Sequence, residues 1–183
     1  MRILAISGSL RTASSNTAVL QAAQRLAPAG MEVVLYDGLG RLPHFNPDLD
    51  QAEPPPPVQA LRRQVGQCDG LLICCPEYAY GVPGAMKNAL DWLVASVEFP
   101  GKPVALINVS PWASHAQAQL RETLNVMGAR LVEPACIALP LPGSNLEVSA
   151  IVAHPELAAA LRRALTAFGQ AISTLPPAQG QLC

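Results

Sequence analysis

The sequence predicts a three-layer α/β sandwich in which helices cover both faces of a five-stranded parallel sheet. Short apolar segments alternate with amphipathic segments of helical periodicity along the chain. Residues 70–75 form a continuous apolar run, which is typical of a central parallel strand buried on both faces. The length of 183 residues, half of them hydrophobic, suits one domain with a sizeable core.

Each element of the first half follows from its own pattern. The apolar face formed by Val19, Leu20 and Ala23 predicts the first helix. The proline run 54–57 is interpreted as stiffening a long loop rather than as a polyproline motif for a partner, because it is short and lies inside the fold. The predicted strands are 2–6, 32–36 and 70–75, and the predicted helices are 16–26 and 58–67.

The second half continues the alternation. The third helix begins after Pro83, because proline is tolerated at a helix start, and Gly128 is placed to end the fourth. The fifth strand either ends at Val132 or extends past Pro134 to Leu139. The predicted strands are 104–109 and 130–132, and the predicted helices are 84–93, 116–127 and 155–173. This order matches the flavodoxin-like arrangement, with strand order 2-1-3-4-5, over residues 1–175, and residues 176–183 are expected to fray.

Composition restricts the possible partners and compartment. The net charge of −1 provides no basic excess for nucleic acid, and no apolar run reaches the length of a membrane span. The five cysteines are odd in number and form no Cys-x-x-Cys pair, so neither a disulfide framework nor a zinc site is expected. Cys74 and Cys75 are interpreted as buried small hydrophobes. His44 and His154 are isolated, and no metal-ligand spacing links them. No targeting segment precedes the first strand, so a cytoplasmic protein is expected.

The loop after the first strand, residues 7–17 (the strand-one loop), has the composition of an anion site. It lies at a helix N-terminus, where backbone N–H groups and the helix dipole favour negative charge. It contains neither Gly-x-Gly-x-x-Gly nor a Walker lysine, which argues against a classical dinucleotide motif and against triphosphate hydrolysis. A terminal phosphomonoester is the expected ligand; the alternative is that residues 14–16 only cap the helix. The candidate residues are Ser9, Arg11, Ser15, Asn16 and Thr17.

The loop after the third strand, residues 76–83 (the strand-three loop), contains two of the three tyrosines, Tyr78 and Tyr80. Flat side chains and backbone N–H groups at the carboxyl edge of a sheet suit a flat heteroaromatic ring. The alternative is a surface turn whose tyrosines pack on the helix. Lys87, Asn88 and Asp91 follow in that helix and are expected to make local helix contacts.

These two motifs together closely resemble the NADPH-dependent FMN reductase family, which includes small azoreductases, chromate reductases and quinone reductases. The first is Gly-Ser-Leu-Arg at 8–11 followed by Ser15 and Asn16. The second runs from Pro-Glu-Tyr at 76–78 through Gly-Val-Pro-Gly at 81–84 to Lys-Asn-Ala-Leu-Asp-Trp at 87–92. The resemblance covers roughly the first 130 residues in order and spacing.

The resemblance implies the cofactors and their ligands. FMN would be bound through its phosphate by the strand-one residues named above. Its isoalloxazine ring would be lined by Pro76, Glu77, Tyr78, Ala79, Tyr80 and Gly81, with a backbone N–H near flavin N5. NADPH or NADH would be the electron donor. A homodimer or homotetramer is expected, with the apolar third helix as a candidate interface.

The loop after the fourth strand, residues 108–117 (the strand-four loop), departs from the family pattern. Ser110 matches, but Ser114 and His115 stand where a pair of glycines would approach the flavin. Trp112 either shelters the ring, narrows the substrate pocket or packs as a surface residue. His115 either donates a hydrogen bond to the flavin or is a capping or solvated residue.

The expected function is a ping-pong oxidoreductase that passes hydride from NAD(P)H through FMN to a small acceptor. Because the cofactor carries the chemistry, no side-chain acid or base is obligatory and no metal is expected. Quinones, azo compounds, chromate and free flavin remain open as acceptors. The alternatives are a flavodoxin-type single-electron carrier, disfavoured by the nearly neutral charge, and a non-catalytic flavin-binding module.

Overall fold

A parallel β-sheet forms the centre of the computed structural model, which describes residues 1–143 and 146–174. The strand order is β2-β1-β3-β4-β5, as the sequence predicts, and a sixth short strand also pairs with β4. All the pairings between these strands are parallel. The strands are β1 Arg2–Ser7, β2 Glu32–Leu35, β3 Gly70–Cys74, β4 Pro103–Asn108, β5 Arg130–Leu131 and β6 Ile137–Ala138.

Helices cover both faces of the sheet and bury two separate hydrophobic clusters. Side chains of α1, α5 and α6 contribute to one cluster, and side chains of α2, α3 and α4 contribute to the other. Every residue of β3 is buried, as expected for the central strand between two helical layers. The helices are α1 Ser15–Leu26, α2 Pro56–Gly66, α3 Gly84–Leu93, α4 Ser114–Val126, α5 Val148–Ala153 and α6 Pro155–Thr174.

The structure differs from the predicted elements at α2, at the fifth strand and at α5. Helix α2 begins at Pro56, so part of the proline run forms a first helical turn, where the missing N–H costs no hydrogen bond. The predicted fifth strand is two short strands instead of one, because a 3-10 turn at Glu133–Ala135 separates β5 from β6. Helix α5 was not predicted. The tail at 176–183 lies outside the described residues.

The apolar residues of helix α3 are buried within the chain itself, and the expected role of this helix as an interface between copies stays a prediction. Its apolar residues face the chain's own core, and five of its ten residues are buried: Met86, Ala89, Leu90, Trp92 and Leu93. Lys87 pairs with Asp91 one turn away, as expected for a local helix contact. Asn88 instead reaches a distant loop, so the expectation of a local contact is wrong for this residue.

The loop between β2 and α2 is tied down against α3. The Asn88 carboxamide accepts a hydrogen bond from the N–H of Phe45 at 2.7 Å and donates one to the carbonyl of Pro43 at 2.9 Å. The indole N–H of Trp92 donates to the same carbonyl at 2.8 Å, and its ring meets Phe45 edge to face. Within the described ranges, no helix is both long and apolar enough to span a membrane.

Candidate active site

The loops that follow β1, β3 and β4 meet at one edge because these strands are direct neighbours. Ser7 at the end of β1 is in register with Cys74 of β3, and Cys74 is in register with Ile107 of β4. The N–H of Gly8 extends the pairing by donating to the Cys74 carbonyl at 2.9 Å. A Cβ at Gly8 would lie 2.5 Å from the Cys75 sulfur, so the backbone needs glycine for this close approach.

Hydroxyl groups organise the strand-one loop from within. Thr17 donates through Oγ1 to Ser7 Oγ at 2.9 Å, and the Arg11 N–H donates to Ser9 Oγ at 3.3 Å. Ser14 accepts from the Thr17 N–H at 3.3 Å and is the N-cap of α1. Capping therefore occurs, but it uses only the Ser14 hydroxyl and does not account for the Arg11 side chain or for several backbone N–H groups of the loop.

The unexplained groups are all hydrogen-bond donors. Within residues 1–143 and 146–174, the backbone N–H groups of Thr12, Ala13 and Asn16 make no hydrogen bond. The Arg11 side chain is exposed and forms no ion pair with another described residue. Donors around a helix N-terminus beside an unpaired guanidinium form a site for an anion, and phosphate geometry suits both.

Asn16 is placed differently from the sequence expectation. Its side chain is buried, and its Oδ1 accepts a hydrogen bond from the Cys74 thiol at 3.2 Å. Burial raises the pKa of Cys74 well above its ordinary value, so the thiol keeps the proton that it donates. The side-chain oxygen therefore faces the sheet, and the N–H donors of Asn16 are the groups that remain for a ligand.

The strand-three loop contains a tight turn at residues 78–81 (the tyrosine turn). Two backbone hydrogen bonds of 3.0 and 3.1 Å join Tyr78 and Gly81 and close the turn. Its central residues, Ala79 and Tyr80, have φ angles of 48° and 59°, the left-handed region that non-glycine residues rarely adopt. Such strain is found most often at functional sites. The Tyr78 and Tyr80 side chains are 50% and 78% exposed, so they are not buried against a helix.

Helix α4 holds this loop through three contacts, which we call the α4 clamp. Glu77 accepts a hydrogen bond at 2.8 Å from the N–H of Ala116 in the first turn of the helix. Gln119 accepts one at 2.8 Å from the N–H of Val82. The third contact places the Tyr80 ring edge to face against His115, with centroids 4.9 Å apart.

The α4 clamp redefines two predicted residues. Glu77 was expected to line the ring of FMN, but its carboxylate binds the helix N-terminus, where a negative charge is favoured. His115 is the second residue of α4, not its cap, and its ring contacts Tyr80. Gln119 was missed by the sequence reasoning. Its spacing of four from His115 places both on one face of the helix, the single sequence signal that could have found it.

The strand-four loop is compact around Ser110. The Ser110 N–H donates to Asn108 Oδ1 at 3.1 Å, and its hydroxyl and carbonyl accept from the N–H groups of Trp112 and Ala113 at 3.4 and 3.2 Å. Trp112 is 85% exposed, which disfavours the alternative that it packs as a surface residue and leaves the other two as predictions. An exposed indole beside the site is available to contact a flat ligand.

The predicted residues therefore gather at one edge of the sheet in three groups. The first group lies on the strand-one loop, the second forms the tyrosine turn and its flanks, and the third lies on the strand-four loop and the start of α4. They are Ser9, Arg11, Ser15, Asn16 and Thr17; Pro76, Glu77, Tyr78, Ala79, Tyr80 and Gly81; and Ser110, Trp112 and His115.

Comparison with known proteins identifies the family that this fold and site define. The model of the NADPH-dependent FMN reductase family matches residues 1–141, and the chain belongs to that family. It is an oxidoreductase whose cofactors are FMN and NAD(P)H. The chain is 42% identical over 129 residues to an NAD(P)H-dependent FMN reductase of Pseudomonas aeruginosa, covering 68% of this chain and 69% of the relative.

Two further relatives agree with this assignment. A quinone reductase of Escherichia coli is 37% identical over 139 residues, which cover 72% of this chain and 73% of the relative. The solved structure of FerB, a flavoenzyme NAD(P)H:(acceptor) oxidoreductase from Paracoccus denitrificans, superposes with a TM-score of 0.75 at 30% identity, covering 94% of this chain and 97% of that chain. An archaeal flavodoxin, at 14% identity and a TM-score of 0.60, shares the fold.

Proposed function

We propose that this chain is a two-electron NAD(P)H oxidoreductase that reduces a small oxidised acceptor of the quinone class. The observation that carries the proposal is the pairing of an anion site with an adjacent exposed aromatic turn. Unpaired N–H groups and Arg11 suit the FMN phosphate, and Tyr78 and Tyr80 offer flat surface where its ring would lie. The similarity to an Escherichia coli quinone reductase favours a quinone over the other acceptors.

The division of labour among the residues follows from their contacts. Arg11 and the backbone N–H groups of residues 12, 13 and 16 would bind the phosphate, and Ser9 and Thr17 would hold the loop in shape. The backbone from Pro76 to Gly81, together with Ser110, would line the ring. Bound FMN supplies the redox chemistry by accepting hydride from NAD(P)H and returning two electrons to the acceptor.

The side chains around the ring shape one pocket for two successive substrates. Tyr78, Tyr80 and Trp112 present exposed aromatic faces and provide no strong acid or base. NAD(P)H and the acceptor would use these faces in turn, which gives ping-pong kinetics. We also propose a cytoplasmic homodimer or homotetramer, an assembly that the family resemblance favours.

The test is a flavin titration followed by anaerobic reduction. The purified protein should bind FMN at micromolar concentration or tighter, and NADPH should bleach the bound flavin in one two-electron step. Addition of a benzoquinone should then restore the oxidised spectrum. Reduction by one-electron donors alone would favour the electron carrier, and loss of FMN binding would leave only the fold in common with the family.

A further inference from the structure

The strand-three loop and α4 are joined by reciprocal hydrogen bonds. A loop side chain, Glu77, accepts from a helix N–H at Ala116, and a helix side chain, Gln119, accepts from a loop N–H at Val82. Both distances are 2.8 Å, within the normal range for a good hydrogen bond. The two anchors lie on either side of the tyrosine turn, so the turn is fixed to α4 at both ends.

The tyrosine turn needs such support because its conformation is unfavourable. Ala79 and Tyr80 both have left-handed backbone angles, which are unfavourable for residues other than glycine. Its two internal hydrogen bonds are common to any tight hairpin turn. Contacts outside the turn add stability to this geometry, and the α4 clamp provides them.

The clamp also determines where the Tyr80 ring lies. Tyr80 is 78% exposed, and within the part of the chain that the structure describes its ring makes one aromatic contact, edge to face with His115. Movement of the turn relative to α4 would therefore move the ring away from His115.

We propose that Glu77 and Gln119 are positioning residues that set the substrate pocket by fixing Tyr80 against His115. The proposal rests on the function proposed above, since it assigns Tyr80 to the pocket shared by NAD(P)H and the acceptor. The acceptor selected would be a flat aromatic molecule, because the exposed Tyr80 ring offers it a flat face. Because the Glu77 and Gln119 side chains bind backbone N–H groups of the protein, the clamp acts on substrate binding more than on turnover.

Gln119→Leu is the first test, because Leu has a similar volume but accepts no hydrogen bond. Amide hydrogen exchange of the apoprotein should accelerate at Gly81 and Val82 and stay unchanged in the buried strand β3. Gln119→Glu keeps an acceptor oxygen and should restore slow exchange. Glu122→Leu is the matched control, since Glu122 is exposed on the same helix and makes no side-chain hydrogen bond within the described residues.

Steady-state kinetics then distinguish positioning from a structural role. In Gln119→Leu, KM for NADPH and for a benzoquinone should rise about three- to tenfold, the effect of one net hydrogen bond, with kcat changed less than about twofold. Gln119→Glu should restore KM. Faster exchange with unchanged KM would overturn the proposal, because the clamp would then hold the loop without shaping the pocket. A three- to tenfold fall in kcat with unchanged KM would also overturn the proposal, because the clamp would then act on turnover rather than on substrate binding.

Glu77 gives an independent arm. Glu77→Ala removes the acceptor for the Ala116 N–H, whereas Glu77→Gln keeps an acceptor without the charge. We expect Glu77→Ala to raise KM as Gln119→Leu does, and Glu77→Gln to keep KM close to the wild-type value. In the double variant, KM should rise by less than the product of the two single fold-changes. Multiplicative effects would contradict a shared clamp. Failure of the wild-type protein to bind FMN would refute the proposed function, while the exchange result would stand on its own.

Discussion

Arg11 is the residue on which the phosphate assignment depends most directly. It is exposed, and within residues 1–143 and 146–174 it has no acidic partner, so its charge is available to a ligand. We expect Arg11→Ala to weaken FMN binding about ten- to hundredfold, the effect of losing one charged hydrogen bond. Riboflavin, which lacks the phosphate, should bind wild type and variant equally. Fluorescence titration measures both, and equal weakening of the two flavins would contradict a phosphate contact.

At the residue scale, the sequence identified which residues meet but not what each one touches. The strand-one hydroxyls and the tyrosines were predicted from their positions after predicted strands, and Ser110 was predicted from the family resemblance. The partners of Glu77 and Asn16 lie 39 and 58 residues away, so they depend on how the layers pack. No local pattern indicates the left-handed angles at Ala79 and Tyr80 either, because glycine, the usual signal, is absent there.

At the scale of elements, Asn88 connects α3 to the loop between β2 and α2. Replacing Asn88 by Ala removes both hydrogen bonds to this loop, at Pro43 and Phe45. We expect a loss of about 1–3 kcal/mol in the free energy of unfolding and faster amide exchange at Phe45, since the N–H there loses its acceptor. Urea denaturation and hydrogen exchange check the two expectations.

Asn125→Ala provides the control for that experiment. Asn125 is exposed near the end of α4, and its side chain makes no hydrogen bond with any described residue. The same chemical change should therefore alter stability by less than about 0.5 kcal/mol. If Asn88→Ala were equally mild, Trp92, whose indole also binds the Pro43 carbonyl, would be sufficient to hold the loop.

Elements with strong periodicity were predicted closely, and weakly patterned ones were not. Strands β1 and β3 and helix α3 lie within one or two residues of their predicted limits, because their apolar runs are bounded by clear turn signals. Helix α5 has only six residues and no side-chain N-cap, so no pattern separates it from a loop. Pro134 explains the break between β5 and β6, because proline lacks the N–H that a continuous strand would need at this position.

At the scale of the whole molecule, burial makes the fold sensitive to alkali. The Tyr36 side chain is buried beside the Gly38 backbone, and burial raises its pKa from 10.0 to about 12. Burial raises the pKa of Cys75 to about 12 as well, and those of Cys68 and Cys74 in the same direction. In every case the native state keeps a proton that the unfolded chain releases, so the stability falls as pH rises past the unfolded pKa.

The variant Tyr36→Phe measures how much of the alkaline loss of stability comes from the Tyr36 phenol. Below pH 10 the hydroxyl is protonated in both states, so it contributes no pH dependence. Between pH 10 and about 12 the unfolded phenol ionises while the native one does not, and the wild type should lose about 1.4 kcal/mol from this group at pH 11. Urea denaturation from pH 8 to 11 should therefore give a steeper fall for wild type than for Tyr36→Phe. The variant should keep a residual slope from its buried thiols, and identical slopes would mean that the phenol ionises equally in both states.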